Sequence, residues 1–156
     1  MGIDFNADEI FEIAVYIEQN GANFYRKAAG SISGKYNKDL LLHLAEMEDE
    51  HEQTFKKLRS ELSEKEKITT TFDPEGEAEQ YLKALADTRV FYEKEFDKPS
   101  LKEIFKTAIT AEKDSIVFYL GMKNVVPTHM GKEKLDDIIK EEMGHITLLS
   151  KELLEL

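Results

Sequence analysis

A set of acidic and histidine residues occurs twice in this chain, at an offset of 94 positions. Each half carries a lone glutamate and, thirty residues later, a Glu-x-x-His motif. The same offset relates aromatic neighbours, as in the pairs Phe24-Tyr25 and Phe118-Tyr119. This recurrence predicts one helical hairpin used twice. The six polar residues of the repeat are Glu18, Glu48, His51, Glu112, Glu142 and His145.

Apolar residues recur every three or four positions in four stretches of the chain, which is the pattern of amphipathic helices. The six polar residues of the repeat interrupt these stripes at positions that should face the core. An ionised side chain in a core destabilises the fold by several kcal/mol unless it is paired or bound to a metal. Four carboxylates and two imidazoles within the stripes therefore predict a site for two metal ions. The predicted core-facing positions are Phe11, Ala14, Glu18, Gly21, Tyr25 and Ala28; Leu41, Leu44, Glu48, His51, Phe55, Leu58 and Leu62; Leu101, Phe105, Ala108, Glu112, Ser115, Tyr119 and Met122; and Leu135, Ile138, Glu142, His145 and Leu149.

Two breaks in the helical pattern, around Ser33 and Pro127, predict the turns of two antiparallel hairpins. Each of these residues is fifteen positions from the lone glutamate of its half and from the glutamate of its Glu-x-x-His motif. Residues equally far from a turn face each other, so both glutamates of a hairpin should lie at one level, roughly 20 Å from the turn at 1.5 Å per residue. Within each motif, Glu and His three residues apart project from the same helix face and can reach one ion.

The ends of the helices and the link between the hairpins also leave local signals. Asn6 with Glu9, and Ser100 with Glu103, have the spacing of capping boxes at helix starts. Residues 63–97 form a long link between the hairpins, and a fifth helical pattern runs through it from about residue 75 to residue 96. We therefore predict an all-α fold, a four-helix bundle of two antiparallel hairpins with a long crossover that contains an extra helix, as a single domain over residues 1–156.

Charge and composition narrow the classes of partner and of site. The chain has 21 Lys and Arg against 32 Asp and Glu, a net charge of −11, which argues against nucleic acid or an anionic membrane as partner. It has no cysteine, which excludes thiolate zinc sites and iron–sulfur centres, so a metal must be bound by oxygen and nitrogen. No apolar run approaches the length of a membrane span, and no secretory leader precedes the first helix. We expect a cytoplasmic protein.

The arrangement of the six polar residues is similar to that of ferritin-like carboxylate bundles, in which two helices give one Glu each and two give a Glu-x-x-His each. In that arrangement Glu48 and Glu142 are candidates to bridge both metals, and Glu18 and Glu112 are terminal ligands. His51 and His145 take one metal each; all six are metal-ligand candidates. Four carboxylates neutralise two divalent cations, and oxygen donors with one imidazole per metal favour iron or manganese, with zinc as a substitute.

Tyr25 and Tyr119 lie seven residues beyond the lone Glu of their hairpins, on nearly the same face, and could donate hydrogen bonds to the ligands. The small residues Ala14, Gly21, Ala108 and Ser115 should leave room beside the site. His43 and His129 lack a glutamate three positions before them, and we expect them to be ordinary surface residues.

The chain resembles the rubrerythrins of the ferritin-like superfamily. The resemblance rests on Tyr16-Ile17-Glu18 with Gly21 and Phe24-Tyr25, on Glu48-x-x-His51, on Ala111-Glu112-Lys113-Asp114-Ser115 with Phe118-Tyr119, and on Glu142-x-x-His145. It implies a non-haem centre of two iron ions, peroxide reductase or ferroxidase activity, and a homodimer. The four glutamates and the two tyrosines of these motifs are then the candidate catalytic residues.

Two features depart from the family pattern. Ser115 stands where rubrerythrins have a second Glu, three positions after the ligand of the third core helix, and the family associates that carboxylate with iron moving between ligands during turnover. Rubrerythrins also usually carry a Cys-rich rubredoxin domain, so a chain without cysteine implies a separate, rubredoxin-like electron donor.

Three functions fit these observations. The first is an oxidoreductase that reduces hydrogen peroxide or dioxygen with electrons from a separate donor. The second is a ferroxidase or iron-storage protein of the bacterioferritin type, which would assemble into a large shell. The third is a metal-binding helical bundle without catalytic activity.

Overall fold

The computed structural model describes residues 6–64, 80, 82, 84, 99–124, 126 and 132–156. These residues form four long helices and no strand. The helices are α1 (Ala7–Gly30), α2 (Lys35–Ser60), α3 (Leu101–Met122) and α4 (Lys132–Leu154). Each of the four predicted helical stretches is therefore one continuous helix.

The first and third helices begin where the capping residues predicted. The Asn6 side chain accepts a hydrogen bond of 3.0 Å from the backbone N–H of Glu9, and the Ser100 hydroxyl accepts one of 3.1 Å from that of Glu103. These bonds satisfy backbone donors that have no partner within the helix. Acidic residues in the first turn of both helices add a favourable interaction with the helix dipole.

The helices pair as two hairpins, α1 with α2 and α3 with α4. Fewer contacts join the two hairpins, and these lie between α1 and α3 and between α2 and α4. On the outside of the first hairpin, Nε of Arg59 donates to Oδ1 of Asp8 at 2.8 Å. Closer to the turn, Arg26 pairs with Asp49. These partly exposed pairs link α1 to α2 on either side of the level at which the lone glutamate of α1 lies.

The core consists of the predicted apolar stripes. Every predicted core-facing position is buried except Leu101, which is half-buried near the start of α3. The largest fully buried side chains include Tyr25 and Tyr119, together with phenylalanines from three of the helices. Burial of this kind is the main stabilising contribution in a helical bundle.

Part of the predicted crossover lies outside the described residues. Of the predicted fifth helix, the structure describes Gln80, Leu82 and Ala84, which are helical, and the side chain of Leu82 is fully buried. Pro127 and His129 also lie outside the described residues, whereas His43 is exposed as predicted. Within the described part of the chain, no helix has an apolar stretch that could cross a bilayer.

Replacing the capping residue of α1 should destabilise the protein. We expect Asn6→Ala to lower the free energy of unfolding by about 1 kcal/mol, because the N–H of Glu9 loses its acceptor. Asn6→Asp keeps a side-chain acceptor and should be nearly neutral. Chemical denaturation of the three proteins measures the difference, and equal losses in both variants would contradict a capping role.

Candidate metal centre

All six polar residues of the sequence repeat converge in the middle of the bundle. The four glutamates, Glu18, Glu48, Glu112 and Glu142, are at most 1% exposed, and His51 and His145 are 2% and 6% exposed. Each of the four helices contributes at least one of them. The hairpins thus bring together side chains that are up to 127 residues apart in the chain.

The six residues form two overlapping groups, each with donor atoms within 4.8 Å of one another. The first group, which we name the His51 position, consists of Glu18, Glu48, His51 and Glu142. The second, the His145 position, consists of Glu48, Glu112, Glu142 and His145. Glu48 and Glu142 belong to both groups, and these are the two residues predicted to bridge.

Each shared glutamate presents one oxygen to each imidazole. In Glu142, Oε1 lies 2.7 Å from Nδ1 of His51, and Oε2 lies 3.8 Å from Nδ1 of His145. In Glu48, Oε2 lies 3.8 Å from Nδ1 of His51, and Oε1 lies 3.7 Å from Nδ1 of His145. A carboxylate placed in this way can bind two ions with its two oxygens.

The remaining two glutamates each belong to one position and are held by a tyrosine of the other hairpin. The Tyr119 hydroxyl donates to Oε1 of Glu18 at 2.6 Å, and the Tyr25 hydroxyl donates to Oε1 of Glu112 at the same distance. The unused oxygens, Oε2 of each glutamate, have no hydrogen-bond partner. Burial, together with the charge of Glu18, holds the pKa of Tyr119 well above its usual value, so this hydroxyl keeps its proton and remains a donor.

The two imidazole rings lie side by side, with centroids 6.1 Å apart and planes inclined by 22°. Nδ1 of each ring faces the carboxylates and has no hydrogen-bond partner. On the other side of the His51 ring, Nε2 contacts the carboxylate of Glu141. Glu141 is not among the predicted site residues, because it lies off the apolar stripe and looks like an ordinary surface charge.

The unsatisfied polar atoms indicate what the site can hold. The buried side-chain atoms without a hydrogen bond among the described residues are Oε2 of Glu18, Oε1 of Glu48, Nδ1 of His51, Oε2 of Glu112, both Oε atoms of Glu142 and Nδ1 of His145. Buried polar atoms are rarely left unpaired in proteins. No lysine or arginine of the described residues forms a salt bridge with these glutamates, whose ion-pair partners are His51 and His145. The donor set of oxygens and imidazole nitrogens fits two divalent metal ions.

When only protein groups are present, bound protons neutralise part of the negative charge of the site. Burial, with the charges of Glu112 and Glu18, holds the pKa of Glu48 well above its usual value. Burial would also raise the pKa of Glu18, but hydrogen bonding to Glu48 and the interaction with His51 outweigh it and lower the pKa. Burial alone would lower the pKa of His51, yet Glu18 and Glu141 together raise it to about 9. A metal that binds here must therefore displace protons.

The small residues predicted beside the site are all buried. Among them, Ser115 donates its hydroxyl to the backbone carbonyl of Ala111 at 3.0 Å, one turn earlier in α3. The position at which rubrerythrins carry an additional carboxylate therefore adds no charge to this site. The candidate ligand set therefore remains the four glutamates and two histidines of the repeat.

The protonation of His51 predicts a pH dependence for the chelator-treated protein. Its pKa is raised in the folded state from 6.5 to about 9, so its contribution to stability is complete below pH 6.5 and is lost as the pH rises through 9. The full effect is at most about 3 kcal/mol. The pKa of Glu48 is also raised in the folded state, so its contribution to stability is likewise lost as the pH rises above the usual pKa of a glutamate. Urea unfolding across this range should show a falling free energy of unfolding.

The matched control uses the exposed histidine. His51→Gln should flatten the slope, and His43→Gln should leave it unchanged. The same slope in all three proteins would contradict the assignment to His51.

Comparisons with known proteins agree with this geometry. The family model for rubrerythrin matches residues 9–153. A solved structure from Thermotoga maritima, provisionally described as a ferritin-like diiron-carboxylate protein, is similar with a TM-score of 0.73 and 23% sequence identity over 99% of each chain. At that identity the likeness concerns the fold, which is the ferritin-like four-helix bundle. None of the curated proteins matches the sequence. Because the family model matches nearly the whole length of the chain, the chain belongs to the rubrerythrin family.

Proposed function

We propose that this protein is a non-haem di-iron oxidoreductase that reduces hydrogen peroxide or dioxygen with electrons from a separate donor. The observation that carries the proposal is that Glu48 and Glu142 each present one oxygen to each imidazole, in a buried site without a described lysine or arginine. Membership of the rubrerythrin family supports iron as the metal. Manganese and zinc also suit the donor set and are possible substitutes.

The proposed reaction uses a pair of metals. Reduction of one peroxide to two waters consumes two electrons and two protons. Two ferrous ions bound by these residues would supply both electrons. The chain's own residues set the spacing for this chemistry, because Glu48 and Glu142 belong to both metal positions.

Other residues keep the carboxylates in place. Tyr25 and Tyr119 each bind one oxygen of a terminal glutamate and leave the other oxygen for a metal. Hydrogen bonds from outside the ligand set fix the orientation of ligands and adjust their basicity. The near-complete burial of the four glutamates keeps bulk water away from the site.

The absence of cysteine bears on the source of electrons. The 156 residues contain no cysteine and so hold no rubredoxin-type iron site. We propose that a rubredoxin-like protein supplies the electrons.

A ferroxidase function is the second candidate. Ser115 supports it, because a serine hydroxyl that is bonded to its own helix stands where rubrerythrins carry the carboxylate to which iron moves. A ferroxidase of the bacterioferritin type would run as a large shell on gel filtration, whereas we predict a homodimer. The rates at which peroxide and dioxygen oxidise the bound iron also distinguish the two activities.

Removal of a shared glutamate should reduce metal binding and abolish turnover. We expect wild-type protein, loaded anaerobically with ferrous iron, to hold two irons per chain and to be oxidised rapidly by peroxide in a stopped-flow instrument. Glu142→Ala should hold one iron or fewer and lose this phase, because both positions lose a ligand. Glu133→Ala, an exposed change on the same helix, is the control. Iron binding without oxidation by either oxidant would leave the non-catalytic bundle as the function.

Removal of a tyrosine hydroxyl should weaken one metal position without changing the ligands. We expect Tyr119→Phe to lower metal affinity by about 10–100-fold, because Glu18 is no longer held at Oε1. Tyr36→Phe is the control. It removes a hydroxyl that donates to Oε1 of Glu152 at 2.8 Å, and neither residue is among the six polar residues of the repeat. Calorimetry with a divalent metal should give wild-type affinity for this control. Equal affinities in all three proteins would contradict a role for Tyr119 in the site.

A further inference from the structure

One contact breaks the two-fold pattern of the site. Nε2 of His51 contacts the carboxylate of Glu141, while Nδ1 of the same ring lies 2.7 Å from Oε1 of Glu142. Two consecutive residues of α4 therefore place a carboxylate next to each of the two nitrogens of an imidazole carried by α2. The side chain of Glu141 is 46% exposed, so this carboxylate stands between the buried ring and solvent.

The other imidazole has no corresponding partner among the described residues. The repeat offset places Met47 at the position that corresponds to Glu141. Among the described residues, the carboxylates close to His145 all approach its Nδ1, and none pairs with Nε2. A thioether is only a weak acceptor, so methionine cannot replace a carboxylate in this role.

Burial does not account for the difference between the two rings. The side chains of His51 and His145 are 3% and 8% exposed, so both are nearly excluded from water. Each Nδ1 also faces three of the four glutamates. The asymmetry therefore lies in the partner of Nε2.

We propose that Glu141 is a positioning residue that makes the two metal positions unequal, so that the His51 position binds a divalent metal more tightly and fills first. A carboxylate that accepts a hydrogen bond from Nε2–H keeps the lone pair of Nδ1 available, holds the ring in place and increases its basicity as a ligand. The His145 position lacks this support. The inference rests on the proposed two-metal centre and adds an order of loading to it.

A metal titration tests the proposal without reference to activity. The full chain, treated with chelator and kept anaerobic, is titrated with Co²⁺ and followed by calorimetry and by visible absorption. Wild type should bind in two phases of different affinity. Glu141→Gln should weaken the tighter phase by about 10–100-fold and leave the weaker phase unchanged. Glu50→Gln removes the same charge from an exposed residue next to His51 and should behave as wild type.

Variants of the two histidines assign the effect to one position. In a His145→Ala background, Glu141→Gln should still weaken the first binding constant. In a His51→Ala background it should have no effect, because its partner is absent. Equal losses in both backgrounds, or no loss in either, would overturn the proposal.

The outcomes separate this inference from the proposed function. If wild type binds neither Co²⁺ nor ferrous iron, the metal centre itself fails. If wild type binds two ions with one affinity that Glu141→Gln does not change, the centre stands and only the inequality is refuted.

Discussion

The structure depends on the burial of four carboxylates at the middle of a helical bundle. Isolated ionised groups in such a place would cost more than the marginal stability of a domain of this size. Protons and histidines balance them in part, as the opposite shifts in the pKa values of Glu48 and Glu18 indicate. Seven buried polar atoms still lack a partner among the described residues, and all of them belong to the six residues of the repeat. The apolar stripes around them are what hold the unsatisfied groups together.

Repetition of one hairpin explains how the chain builds this centre. Each hairpin provides one terminal glutamate, one shared glutamate and one histidine, and neither hairpin completes a metal position by itself. Tyr25 and Tyr119 also join the hairpins, since each donates a hydrogen bond to the terminal glutamate of the opposite hairpin. Docking of the hairpins and formation of the site are therefore one event. Glu141 departs from the symmetry, and this contact is the basis for the proposal that the two metal positions are unequal.

Much of this architecture could be predicted from the sequence. The four helices, the capping roles of Asn6 and Ser100, and the convergence of the six polar residues all follow from local spacing. The two midpoints, Ser33 and Pro127, already placed the glutamates of each hairpin at one level. Glu141 was missed because exposed glutamates are common on helices and its partner lies 90 residues away in the chain.

The sequence by itself determined which side chains would be buried and at what height in the bundle, because helical periodicity and distance from a turn are properties of the chain alone. Only the tertiary structure decided which oxygen of Glu48 and Glu142 faces which imidazole, that the Tyr25 hydroxyl binds Glu112 of the other hairpin, and that Nε2 of His51 contacts the carboxylate of Glu141. These pairings depend on how helices that are far apart in the chain are rotated and separated. The spacing of residues along one helix carries no information about that rotation or that separation.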